Sequence, residues 1–150
     1  MDKRIAIGCD HGGFKLKELL KEYLSKKGFS VNDFGTHSER AFDYPLVGYK
    51  VARSVASGKD KRGILICKSG IGMAIIANKV RGVRSGVCNT IRQARSSRMH
   101  NDTNVLSLAA EYVNFDKAKR IVGVWLNTAS LGDRHRRRVN QIKRLEKRNR

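Results

Sequence analysis

"ILICKSGIGMAIIANK", residues 64–79, decides how this chain reads. The apolar run Ile64–Ile66 ends on Cys67, Lys68 and Ser69 follow, and Gly70-Ile71-Gly72 opens a helical pattern. A β-rich run passing through a glycine turn into a helix is the βα step of a parallel sheet. Glycines at 70 and 72 let successive backbone N–H groups crowd toward one point beside the positive end of the helix, which makes an anion hole. A thiol at the lip of such a hole feels the same field, and thiols at helix N-termini titrate lower than free ones. A cysteine so placed has two chemical uses. It attacks a carbonyl as a nucleophile, or it takes a proton from a carbon beside a carbonyl while the hole holds the resulting enediolate. The same residues also describe a small buried thiol ending a strand, followed by a plain tight turn. Strand and glycines alone do not separate these readings.

The pattern repeats outward from this step. Strands are expected over 4–9 ("RIAIGC"), 29–35, 63–67, 82–88 and 104–110, and helices over 13–28, 44–58, 71–80, 90–100 and 114–127, with a final helix from Asp133. In the first helix Phe14, Leu16, Leu19, Leu20, Tyr23 and Leu24 share a face and Gly28 is the stop. Pro45 stands in the first turn of the second helix, where its missing N–H costs nothing. Strand–helix alternation argues for an α/β sandwich with a parallel sheet and right-handed crossovers. Ligands of such sheets gather at the carboxyl ends of the strands. The residues beside those ends are Asp10, His11, Gly12 and Gly13, then Cys67–Gly72, then Asn89, with "HNDTN" (100–104) just before the fifth strand. The four histidines, His11, His37, His100 and His135, fall in turns or at helix ends, none in an apolar stripe.

The 150 residues suffice for one domain with its own core. No segment reaches the roughly 20 apolar residues that span a bilayer, and "MDKRIAIGCDHGG" turns to glycine and charge too early for a signal peptide. Three cysteines, Cys9, Cys67 and Cys88, with no CxxC pair, argue against zinc and disulfides. The expectation is a soluble, cytoplasmic protein. The net charge of +19 attracts anions without choosing among nucleic acid, membrane surface and phosphorylated metabolites. The tail "RHRRRVNQIKRLEKRNR" (134–150) holds much of it, with Val139, Ile142 and Leu145 as a narrow stripe fit to lie on another surface. That tail has no interleaved aromatics and no RNA-binding signature, so nucleic acid is at most an adventitious partner.

Taken together, "GCDHGGFKLK", "FGTHS", "DYP", "GILICKSGIGMAIIANK", "RSSRMHNDTNVL" and "DRHRRRV" resemble, in the same order, the motifs of type B ribose-5-phosphate isomerases. These belong to a sugar-phosphate isomerase family that also includes the galactose-6-phosphate isomerase subunits. The resemblance runs from about Lys3 to about residue 148. It implies a Rossmann-like three-layer sandwich with a five-stranded parallel sheet, a single domain over 1–150, and an extra basic helix (about 133–150) that contacts a partner subunit. It implies a homodimer or tetramer with active sites at the subunit interface, and a phosphorylated sugar as substrate. Aldose and ketose phosphates are interconverted without metal or cofactor, in the non-oxidative pentose phosphate pathway. By motif, Cys67 resembles the base that carries a proton between C1 and C2, and Ser69, Gly70, Ile71 and Gly72 the hole for the enediolate oxygens. His100 resembles the ring-opening acid/base and Asn101 a neighbouring oxygen ligand. Asp10, His11 and Tyr44 are similar to substrate-contacting positions, and Arg134 and Arg138 to a phosphate clamp. Four residues apart on a helix, those two arginines share a face, and two guanidinium forks suit a dianionic phosphate.

Three positions depart from the family pattern. Ser69 stands where threonine is usual and Lys68 where glycine is usual. Glu111, in "VLSLAAEYV", stands where an arginine commonly reaches the phosphate from the partner subunit. A carboxylate facing a phosphate costs about 1 kcal/mol or more near a surface. Two other readings therefore stand beside the pentose isomerase: a hexose 6-phosphate (allose or galactose) isomerase of the same family, and a catalytically impaired basic homologue binding nucleic acid.

Overall fold

A computed structural model describes residues 1–149. In chain order the elements are β1 (Arg4–Cys9), a 3-10 turn (His11–Gly13), α1 (Phe14–Lys26), β2 (Ser30–Asp33), α2 (Tyr44–Ala56), β3 (Arg62–Cys67), α3 (Ile71–Asn78), β4 (Ser85–Val87), α4 (Ile91–Asn101), β5 (Val105–Ala109), α5 (Phe115–Asn127) and α6 (Asp133–Arg148). The five strands form one all-parallel sheet in the order β2-β1-β3-β5-β4. The expected α/β sandwich is therefore present.

Polarity explains the order. The central strands β1, β3 and β5 are buried on both faces and read as continuous apolar runs. The edge strands, "SVND" and "SGV", are short, polar and only half-buried. On one face Ile5, Ile7, Ile64, Ile66, Leu106 and Leu108 pack against α1, α4 and α5. On the other Ala6, Leu65, Cys67 and Val105 pack against α2 and α3. Each fully buried aliphatic side chain contributes about 1.5–3 kcal/mol.

Several expectations are corrected in detail. In α1, Leu19 is exposed and Lys17, four residues before another charged residue of the same helix, is wholly buried. Lys17 Nζ pairs with both oxygens of Asp33 (2.7 and 2.8 Å) and with Glu18 (3.1 Å), so the ammonium is compensated. β4 is shorter than expected because side chains replace the ladder at its start: Arg84 N–H donates to Asn104 Oδ1 (2.8 Å) and Ser85 N–H to Asn78 Oδ1 (2.7 Å). In α6 only Val139 of the apolar stripe is buried, while Ile142 and Leu145 remain exposed. The helix lies on α4 of its own chain, and Glu146 accepts from Gly82 N–H (3.3 Å).

Candidate active site

Cys67 closes β3 at the carboxyl edge of the sheet and is 6 % exposed. Its neighbours hold it by backbone alone. Asp10 N–H donates to Ile66 O (3.2 Å), Ala110 N–H to Cys67 O (2.9 Å), and Glu111 N–H to Lys68 O (3.1 Å). Gly70 caps α3 with φ +74°, a left-handed conformation that glycine adopts without strain. In this turn Gly70 N–H donates to Cys67 Sγ (3.1 Å) and Ile71 N–H to Ser69 Oγ (3.2 Å). The thiol thus sits among the first amides of a helix. Gly72 lets the Tyr44 ring approach closely: a Cβ there would lie 2.7 Å from the ring and push it aside. Asp10 is buried and accepts from Gly12 N–H (2.9 Å), with its second oxygen uncommitted. His11 Nδ1 accepts from Phe42 N–H (3.2 Å), which fixes the other nitrogen as the protonated one in the neutral ring and ties the loop before α2 to this edge. Asp10, His11, Tyr44, Cys67, Ser69, Gly70, Ile71 and Gly72 are therefore together.

The other predicted residues are not with them. α4 runs antiparallel to the strands, so His100 and Asn101, in its last turn, lie at the amino edge. Leu131 N–H donates to Met99 O (2.9 Å) and brings the start of α6, with Arg134 and Arg138, to that same end. Proximity in sequence to β5 misled the expectation of a common edge: a residue that precedes a parallel strand stands opposite one that follows it. Both arginines are exposed.

At the amino edge the His100 and His135 rings stack, with centroids 4.5 Å apart and planes at 11°. Sequence reasoning missed His135 by placing every histidine outside the apolar stripes. It is buried, and it lies one helical turn before Val139, a spacing that would have put it on the same face. Burial first, then the charges of His100, Arg134 and Arg138, push the His135 imidazole below its ordinary range. The pair lines a cavity of about 230 Å³ with Met99, Arg136, Asn140 and Lys143.

The remaining thiols are inert by position. Burial pushes Cys9 up to about 12 and raises Cys88 as well, and all three cysteines are free. Lys68 lays its aliphatic stem over Gly12 at the carboxyl edge. Among the described residues no cluster of three or more His, Cys, Asp or Glu is placed to hold a metal ion, and no helix is long and apolar enough to cross a membrane.

Comparison with known proteins gives a consistent picture. Residues 5–142 match the family described as Ribose/Galactose Isomerase. The chain is 45 % identical over 146 residues to ribose-5-phosphate isomerase B of Escherichia coli K12, covering 97 % of this chain and 98 % of that one. A solved ribose-5-phosphate isomerase B from Clostridium thermocellum superposes with a TM-score of 0.95 at 47 % identity, covering 97 % and 99 %. The enzyme of that name from Mycoplasma genitalium, solved with bound ribulose-5-phosphate, gives a TM-score of 0.92 at 38 % identity and 95 % of each chain.

Proposed function

The chain belongs to the ribose/galactose isomerase family, and from that premise we propose that it is an aldose–ketose isomerase interconverting ribose 5-phosphate and ribulose 5-phosphate. The observation that carries the reading is the Cys67 thiol at the mouth of α3 with the Gly70 amide on its sulfur. In the open-chain aldose the Cys67 thiolate takes the proton from C2. The electrons move onto the C1 oxygen, and the amides of residues 69–72 stabilise the enediolate, with the Ser69 hydroxyl beside them. Cys67 returns the proton to C1 while the hydroxyl proton passes from O2 to O1, so a ketose forms with no oxidant and no second acid at carbon. Asp10, His11 and Tyr44 hold the sugar. His100 opens the ring with Asn101 on a neighbouring oxygen, and Arg134 and Arg138 hold the phosphate as paired guanidinium forks.

One chain does not unite these groups, since they occupy opposite edges of its sheet. The proposal therefore includes a homodimer in which each site takes Cys67 from one protomer and His100, Arg134 and Arg138 from the other. Exposed Leu46, Tyr49, Ile71 and Ile75, on the adjacent helices α2 and α3, supply apolar surface for that contact. Residues 1–150 act as one isomerase domain, and α6 reaches the partner.

The test is isomerase turnover on ribose 5-phosphate beside allose 6-phosphate and galactose 6-phosphate, followed by subunit mixing. Cys67→Ala and His100→Ala are each inactive alone. Unfolded and refolded together, half of the dimers carry one intact site in two, so about a quarter of wild-type activity returns. Recovery of none would overturn the shared site. Turnover favouring a hexose would overturn the pentose assignment.

A further inference from the structure

The amino edge holds a second basic feature that the proposed reaction does not use. Arg62 opens β3, Arg84 precedes β4, and Arg98 lies on the inner face of α4. With Lys61, Asp60, Asp102 and Asn104 they line a cavity of about 340 Å³, to which neither Arg134 nor Arg138 contributes.

Its charges do not balance. Arg98 is only 4 % exposed, and its guanidinium reaches Asp102 Oδ1 (2.8 Å), Thr103 O (2.6 Å) and Thr128 O (3.2 Å). Arg84 takes the other oxygen of the same carboxylate (3.1 Å). Asp60 accepts from Ser54 and from Asn32, both on Oδ2, and its charge has no cation within ion-pair distance among the described residues. Among the described residues no carboxylate lies within ion-pair distance of Arg62, and the cavity sets four cations, Lys61, Arg62, Arg84 and Arg98, against the two carboxylates of Asp60 and Asp102. It has only the Thr103 carbonyl at 3.5 Å and the face of the Trp125 ring at 5.6 Å. Arg62 is half-buried and keeps contact with solvent, whereas fully buried Lys17 has both Asp33 and Glu18 as counter-charges. At Arg62 burial, with the Arg98 and Arg84 charges, weakens the hold on the proton to about 10. Several guanidinium N–H groups, Arg62 Nε and Nη2, Arg84 Nη1 and Arg98 Nη2, have no protein acceptor among the described residues and stay open to solvent.

We propose that this cavity is an anion site that takes a dianionic phosphoryl group on the forks of Arg62, Arg84 and Arg98. Planar guanidinium forks fit two phosphate oxygens at a time, which favours phosphate over chloride. The phosphoryl group comes either as free phosphate or on an ester.

Trp125 is the chain's only tryptophan, and it lies under Arg62, so its emission reports on this site. Inorganic phosphate is titrated into the full chain with ionic strength held constant by sodium chloride. The expected result is a saturable change in emission that persists in Arg134→Ala/Arg138→Ala and disappears in Arg62→Gln. Ultrafiltration with labelled phosphate gives an independent count. The double variant retains one phosphate per chain, and adding Arg62→Gln removes it, with circular dichroism verifying the fold. No saturable change, an equal change from chloride, or a bound phosphate that survives Arg62→Gln overturns the proposal. Ribose 5-phosphate added to the double variant then identifies the source: displacement of the labelled phosphate means esters enter, and retention means the site takes free phosphate.

Discussion

At the carboxyl edge of the sheet the candidate groups are presented by backbone. The Ile66 and Cys67 carbonyls accept from the Asp10 and Ala110 amides, and the Gly70 amide donates to the Cys67 sulfur. At the amino edge the groups are long side chains on helix ends: His100, Arg134 and Arg138 project from α4 and α6, and two guanidiniums, Arg84 and Arg98, share one carboxylate. The first edge is preorganised to stabilise charge that develops during a reaction. The second is an excess of cations fit to hold charge that a ligand already carries. In the proposed reading, proton transfer at carbon falls to one end of a protomer and phosphate holding to the other, and the proposed dimer joins them.

The strongest way to break this contrast is Cys67→Ala. Loss of the general base is expected to lower kcat by about 10²–10⁴-fold with the melting temperature nearly unchanged. A variant with near wild-type turnover would remove the carboxyl edge from the chemistry. Next is Lys17→Met, which strands the Asp33 carboxylate beside Lys21 alone and is expected to cost about 3 kcal/mol by urea denaturation. The pH dependence has a definite sign. Burial alone would raise the Asp33 carboxyl, but Lys17, Lys21 and the Gly35 amide outweigh it and hold it below its ordinary range. Its contribution is therefore complete above the ordinary carboxylate pKa of about 4 and is lost as pH falls through the lowered folded value. The stability gap between wild type and Lys17→Met should narrow in that acid window, and a gap independent of pH would mean that the pair is not electrostatic. A smaller effect is expected at the other edge. Arg134→Ala should raise KM for ribose 5-phosphate about tenfold, near 1.5 kcal/mol, with kcat less affected. A fall in kcat alone would move this residue from binding to chemistry. The smallest is Glu111→Arg, expected to lower KM by about fivefold, or 1 kcal/mol, as a carboxylate beside the Cys67 loop becomes a cation. Its amide is bonded to Lys68 of its own chain, so an unchanged KM would mean that the side chain turns away from the substrate.

What was legible in the sequence follows the same division. The βα step at Cys67, the stop at Gly28 and the start at Pro45 depend on residues adjacent in the chain, and all appear where the local pattern put them, within a few residues. Buried Lys17 was hidden because its partner Asp33 is sixteen residues away, and a lysine at that spacing reads as solvated. The edge occupied by His100 depends on the direction of α4, which only topology reveals. His135 looked like one more basic-tail residue, although its spacing to Val139 already placed it inward. Arg62 carried no motif: its setting depends on Arg84 and Arg98, which reach it from distant parts of the chain and share the Asp102 carboxylate.

The strand order also governs how the chain assembles. β4 pairs with β5, and β5 is the last strand to be synthesised. Until Val105–Ala109 inserts, β3 presents an open edge and β4 has no ladder. The β3–β5 pairing, beginning at Gly63 with Val105, closes a segment that includes α3, β4 and α4, so the sheet is completed by a late, non-local step. A released chain that ends before residue 105 therefore carries the apolar β3 edge uncovered and open to aggregation, and insertion of the final strand converts it to the closed sheet.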